Sequence, residues 1–150
     1  MSQPVIRIEN YTDKYRDDLV KVVQNFHDES LKEYDGVCDV ETLHNIIDAA
    51  KPEDLFLLTV DGKCQGVLYG TTIESHLNQK QIFQEVIWYV NPEHRRSGIN
   101  LLREVEKILK HRNISIIIMV CLKNSMYEKL CGFYERMGYK ALETHFMRNL

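Results

Sequence analysis

The stretch Val90-Asn91-Pro92-Glu93-His94-Arg95-Arg96-Ser97-Gly98-Ile99-Asn100-Leu101-Leu102 is where the chain changes period. Before it, Ile82 to Val90 reads as a strand that Asn91-Pro92 stops. After it, Leu101, Leu102, Val105, Ile108 and Leu109 fall on one face of a helix from Gly98 to about Arg112. A strand that turns into a helix through small and basic residues is a place for an anion. The first helical turn offers backbone N–H groups without partners and the positive end of the dipole. Gly98 allows backbone approach, and Arg95 and Arg96 add charge. A pyrophosphate suits such a junction, and a solvated turn with surface arginines uses the same residue types.

Working outward, Ile114 to Leu122 is nearly all apolar and β-branched, which predicts a strand covered on both faces near the sheet centre. Strand, helix, strand makes a βαβ crossover. On the N-terminal side, Leu55 to Val60, Asp61-Gly62 and Cys64 to Ile73 form a hairpin, with a polar loop from Glu74 to Lys80. Val5, Ile6 and Ile8 open the chain as a short strand. Thr12 or Asp13 then caps a helix carrying Leu19, Val22, Val23 and Phe26. A second helix covers Val40 to Ala50 with Leu43, Ile46 and Ile47 inward. Beyond the crossover, Ser125 and Glu128 match a capping box, the helix they open ends at Gly138, and Tyr139 to Met147 reads as a last strand.

Bulk properties narrow the function. At 150 residues the chain suits one domain, residues 1–150, with no repeat or linker. Its 19 basic and 22 acidic residues give a net charge of −3, which removes the electrostatic basis for coating nucleic acid. Cys38, Cys64, Cys121 and Cys131 form no C-x-x-C pair or zinc pattern, so they read as reduced structural thiols with no metal. The six histidines are scattered without ligand spacing. The first ten residues lack a basic start with an apolar core, and no apolar run is long enough for a bilayer. The expectation is a cytoplasmic protein with no membrane or nucleic-acid partner.

The junction resembles the acyl-CoA-binding motif of the GNAT superfamily of N-acetyltransferases, V-x-P-x-x-[RQ]-x-x-G-x-[GA]. Val90, Pro92, Arg95 and Gly98 match, and Asn100 replaces the final small residue. A second stretch, Phe133-Tyr134-Glu135-Arg136-Met137-Gly138-Tyr139, is similar to that family's F-Y-x-x-x-G-[FY] signature. The resemblance covers residues 55 to 148 strongly and the N-terminal part by architecture. It implies an α/β fold: a twisted mixed sheet, mostly antiparallel, with two central splayed parallel strands, flanked by helices. It implies acetyl-CoA as acyl donor, a primary amine on a small molecule or protein as acceptor, and direct attack in a ternary complex. The other class to weigh is a GNAT-fold CoA-binding or interaction module without turnover.

Carried onto this sequence, the resemblance implies that pantetheine pairs with the strand through Trp88, Tyr89 and Val90, where an amide polarises the thioester carbonyl. Arg95 and the amides of Arg96, Ser97, Gly98, Ile99 and Asn100 hold the pyrophosphate, with Asn124 and Tyr127 as further cofactor contacts. The base is Glu85. Alignment through Val90 puts the family carboxylate at Gln84, and a β-bulge brings Glu85 to that face. An exposed strand glutamate is the plainer alternative. Tyr134 returns a proton to the thiolate, with Tyr127 as substitute. In this fold Cys121 and Cys131 can come near the CoA sulfur, but buried inert thiols are the favoured reading. Asp28, Glu29, Glu33 and Asp35 follow the first helix, where relatives bind acceptors; they attract a cationic amine or form a solvated face. Where the family has two C-terminal strands this chain has one, which leaves room for a partner chain and a homodimer.

Overall fold

The computed structural model describes residues 2–32, 38–76, 78–123 and 126–150. It forms two compact units, Met1–Val120 and Cys121–Leu150.

The first unit is built on β2 (Leu55–Val60), whose six residues are all buried. Such a strand must be covered on both faces, and alternation sorts its side chains. Leu55 and Leu57 join Tyr11, Tyr15, Leu19, Val22, Val67, Ile87 and Tyr89 in a core roofed by α1 (Arg16–Phe26) and α2 (Val40–Ala49). Phe56 points the other way, meeting Phe83 edge-on with ring centroids 6.2 Å apart, on the side covered by α3 (Gly98–His111). Leu101, Leu102, Val105 and Leu109 bury that helix's apolar face, as its spacing predicts.

The sheet runs in the order β1 (Ile6–Asn10), β2, β3 (Lys63–Glu74), β4 (Gln81–Val90), β5 (Ile116–Ile118). The first four strands are antiparallel neighbours and β4–β5 is parallel. The β2–β3 hairpin turns on Asp61 and Gly62, both at positive φ (51° and 81°), the geometry that matches strand twist. Asp61 also ties down the chain start, exchanging backbone and side-chain hydrogen bonds with Val5.

Four expectations need correction. Neither Thr12 nor Asp13 caps α1; a 3-10 turn, Asp13–Tyr15, leads into it, and Asp13 instead accepts from Tyr11 and Arg16. In α2, Ile47 is buried and Leu43 packs on the core, but Ile46 is 49% exposed. Residues 43 and 47 share a seam, and Ile46 lies about 100° round from Ile47. The apolar run after α3 gives only the three-residue β5, last in the sheet order, with Ile116 exposed. Its ladder ends at Gln84↔Ile118 because the Val120 N–H goes to the Glu85 carboxyl instead of a strand carbonyl. Finally, residues 139–150 form no strand. A strand needs ladder partners for its backbone, and this segment makes none.

The second unit holds α4 (Tyr127–Arg136), which ends where Gly138 adopts φ 91°, as its sequence predicts. The capping box lies outside the described residues at Ser125, and Met126 occupies the N-cap position.

Candidate functional site

The bulge that the Glu85 assignment requires is present. Tyr69 pairs with Ile87 and Gly70 with Glu85, so Val86 is the extra residue in β4. Val86 and Ile87 both line the space under α1 and α2, and the alternation is therefore reset. Glu85 shares the face of Phe83 and α3, which residue 84 would occupy in a regular strand, and Gln84 turns to the α1/α2 face. The partner strand admits this only because Gly70 has no side chain. A Cβ there would stand 2.5 Å from both the Gln84 carbonyl oxygen and the Phe83 ring.

Glu85 is not an exposed strand residue; it is 8% exposed. Burial pushes its carboxyl up to about 8, against the pull of a hydrogen bond from the Val120 N–H that favours the charged form. A carboxyl raised in this way ionises only as the pH approaches 8, and once ionised it is a stronger base than a surface glutamate with its low pKa. It sits where β4 leaves β5, one residue past the last ladder pair.

Beyond that point β4 continues to Val90 with no further β5 ladder pair among the described residues. Asn91 donates its N–H to Gln65 at 2.8 Å, so alternation assigns Asn91, Tyr89 and Ile87 to the bonded pairs with β3. Trp88 and Val90 then direct their backbone groups toward the β5 side. Of the three residues assigned to pantetheine, Trp88 and Val90 thus present backbone groups on the β5 side, where the Val90 carbonyl accepts from Arg95, and Tyr89 does not. The Tyr89 backbone belongs to the β3 ladder, while its side chain faces the first helix.

There Tyr89 and Arg95 converge on Glu29. The tyrosine hydroxyl donates to Oε2 at 2.8 Å, and the Arg95 guanidinium donates to both carboxylate oxygens, 2.7 Å to Oε1. Arg95 Nε also donates to the Val90 carbonyl at 3.2 Å, and its guanidinium lies over the Tyr89 ring. The arginine holds the Glu29 carboxyl below its usual range, and burial followed by the bond to Glu29 raises the Tyr89 hydroxyl. Arg95 was expected to bring free charge to a pyrophosphate; here a carboxylate already neutralises it. Sequence reasoning placed Glu29 only in an acidic run, because a partner 66 positions away leaves no local signal. Glu29, Asp28, Asn25 and Glu93 border an open cleft of about 580 Å³ beside Tyr89 and Asn91.

The junction itself is wound tighter than its sequence predicts. Pro92–Ser97 forms a 3-10 helix that feeds α3, and the Gly98 N–H donates to the Arg95 carbonyl. Gly98 is buried beside Val90 and Trp88, at ordinary negative φ. Arg96, Ile99 and Asn100 are exposed and Ser97 half-buried at the start of α3, so an anion can reach them. Tyr127 and Tyr134 both lie on α4 in the second unit. Lys123 stands 3.7 Å over the Tyr127 ring, and the Tyr134 ring packs at 5.8 Å on Phe133 and 5.3 Å on Tyr139. Asn124, and with it Glu33 and Asp35 of the acidic run, lies outside the described residues.

None of the four cysteines is in a disulfide. Burial pushes Cys64 up to about 12, so it is an inert packing thiol, and Cys121 lies 3.6 Å from Cys131, sulfur to sulfur. Among the described residues no cluster of three or more His, Cys, Asp or Glu side chains is arranged to hold a metal. No described helix is long and apolar enough to cross a membrane.

Residues 20–139 match the acetyltransferase (GNAT) family. No curated protein sequence matches the chain. Among solved structures, it resembles a ribosomal-protein-alanine N-acetyltransferase from Brucella melitensis biovar Abortus 2308, at 17% identity over 97% of this chain and 99% of that one, TM-score 0.76. An aminoglycoside acetyltransferase from an uncultured soil metagenomic sample, solved with sisomicin, matches at 15% identity over 97% and 96%, TM-score 0.72. A Trypanosoma brucei acetyltransferase matches at 15% identity over 97% and 100%, TM-score 0.70. At such identities the likeness is one of fold.

Proposed function

The chain belongs to the acetyltransferase (GNAT) family, and from that premise we propose that it moves the acetyl group of acetyl-CoA to a primary amine by direct attack in a ternary complex. The observation that carries this reading is β4 itself: among the described residues its ladder to β5 stops at Gln84, beside a buried carboxyl with a pKa of about 8, while the strand runs on to Val90. The edge suits pantetheine, whose amides add to a strand through the Trp88 and Val90 backbone. Arg96 and the exposed start of α3 suit the pyrophosphate.

As the amine attacks the thioester carbonyl, the C–N bond forms and the C–S bond breaks. The nitrogen sheds a proton to Glu85, directly or through water, and the CoA sulfur leaves as a thiolate that takes one up. The family motif assigns that second proton to Tyr134, an assignment that Tyr134→Phe tests.

Asn100 in place of the motif's final small residue, and Glu85 in place of the carboxylate expected at Gln84, motivate a second reading, a CoA-binding module without turnover. Thermal denaturation with acetyl-CoA at about 100 times its Kd separates these from no binding at all. Binding raises stability by about 2.7 kcal/mol, or about 5–10 °C at this size. Asn100→Asp should leave the free protein as stable, since a carboxylate suits the first turn of a helix, and should shrink the shift by repelling phosphate. A full shift with no acetylation of any amine identifies the module; no shift removes both readings.

A further inference from the structure

Two of the four cysteines meet. Cys131, on α4, donates its S–H to the Cys121 sulfur at 3.6 Å, across a separation of 10 positions in the chain. Both belong to the second unit and both are half-buried, so a small oxidant dissolved in water can reach them. The other two thiols are poorly suited to oxidation. Burial pushes Cys64 up to about 12, and burial followed by the Asp28 and Asp39 carboxylates raises Cys38. A cysteine reacts as its thiolate, and both environments oppose that form.

The geometry also suits a bond. Bonded sulfurs lie about 2.05 Å apart, so the 3.6 Å contact has to close by about 1.5 Å, a distance that side-chain rotation covers. Cys131 stands on a helix, a firm support, whereas Cys121 lies on irregular chain that can follow it. A bridge that is half-open to water is of the reducible kind, not a permanent staple.

We propose that Cys121 and Cys131 are a peroxide-sensitive thiol pair, which closes into an intramolecular disulfide and reopens with a thiol reductant. Hydrogen peroxide is the oxidant. One thiolate attacks its O–O bond and becomes a sulfenic acid, and the hydroxide released takes up a proton as water. The second thiolate attacks the sulfenic sulfur; the S–S bond forms, the S–O bond breaks, and a second water leaves. Two electrons pass from the two sulfurs to the peroxide, and two molecules of a reducing thiol return them. The bridge ties α4 to the chain that precedes it. Tyr134 lies on the same helix, one turn beyond Cys131. The disulfide is independent of the acetyl-transfer reading; its effect on turnover rests on that reading.

The experiment treats the full chain, freed of reductant, with a modest excess of hydrogen peroxide. Mass spectrometry without reduction should find the protein lighter by two hydrogens, with the peptides of Cys121 and Cys131 joined. Cys38 and Cys64 should remain open to alkylation after unfolding, and dithiothreitol should restore the original mass. Cys121→Ser and Cys131→Ser should each abolish the bridge, and in at least one of them dimedone should capture a sulfenic acid on the remaining cysteine of the pair. In the oxidised wild type, amide exchange in α4 should slow by about tenfold or more while β2 is unchanged. Turnover should change by about twofold or more on oxidation and recover with dithiothreitol. A chain that keeps all its thiols, carries only sulfinic acid or forms bridges between molecules overturns the pair. A bridge without slower exchange overturns the restraint on α4. Turnover that is indifferent to the bridge overturns control of the reaction and leaves acetyl transfer standing. No acetylation of any amine by the reduced protein removes the transfer reading, and with it the effect on turnover, but leaves the pair standing.

Discussion

Glu85 is held protonated by its surroundings, and this links stability to activity through pH. Its native pKa of about 8 lies above the ordinary carboxylate value of 4.5, so the native state keeps a proton that the unfolded chain has lost. The stability this group contributes is complete below pH 4.5 and is lost as pH rises through 8. The difference is up to about 5 kcal/mol for a fully desolvated group, and less if water enters the strand gap. Glu85→Gln should therefore melt higher than the wild type at pH 8, with little difference at pH 4.5. If Glu85 is the base, kcat/KM rises with pH to a plateau above about 8, and the Gln variant loses that inflection together with most of its turnover. A variant that keeps both would transfer the role to water. Glu29 offers a second test. Its pair with Arg95 is partly exposed, so Glu29→Gln should cost only about 1 kcal/mol in melting experiments. With its guanidinium released, Arg95 should then bind acetyl-CoA phosphates better, lowering the Kd measured by titration; a raised Kd would mean that the cofactor needs the pair intact.

At the scale of elements, the β4 bulge depends on a glycine in the neighbouring strand. Gly70→Ala sets a methyl against a backbone oxygen and a buried ring, so one strand must move. Overpacking of this kind costs about 1–3 kcal/mol, and relief by flattening the bulge would swing Glu85 to the other face. The variant should lose the pH 8 inflection as well as stability, whereas a variant that loses stability alone would show the bulge persisting. Gly70 was the signal that sequence reasoning passed over, since a glycine inside a strand marks a bulge or close approach. The elements that were legible carry their cause locally. The hairpin announces itself in Asp61-Gly62, α3 in its five apolar positions, and the end of α4 in Gly138. What was misjudged depends on partners distant in sequence. Ile114 to Leu122 has strand composition throughout, but the Glu85 carboxyl takes a backbone N–H that a longer ladder would need. Likewise, nothing near Arg95 reveals that Glu29 will neutralise it.

Across the molecule, order should follow the ladders. β2 is bonded on both sides, by β1 and β3, and is buried at every position, so its amides should open only with global unfolding. The three residues of β5 and the segment 139–150 lie at the other extreme. The latter has no ladder, and it exposes Leu142, Phe146 and Met147. Hydrogen exchange followed by mass spectrometry should find β2 and the central part of β3 slowest, and residues 139–150 exchanged within seconds. The β-prone residues of Tyr139 to Met147, among them Tyr139, Thr144 and Phe146, nevertheless fit a strand, so a second copy of the chain could supply the ladder it lacks. Exchange in this segment that slows as protein concentration rises would identify such a dimer. Exchange that is slow at every concentration would place its ladder within a single chain, and would overturn the assignment of these residues as irregular.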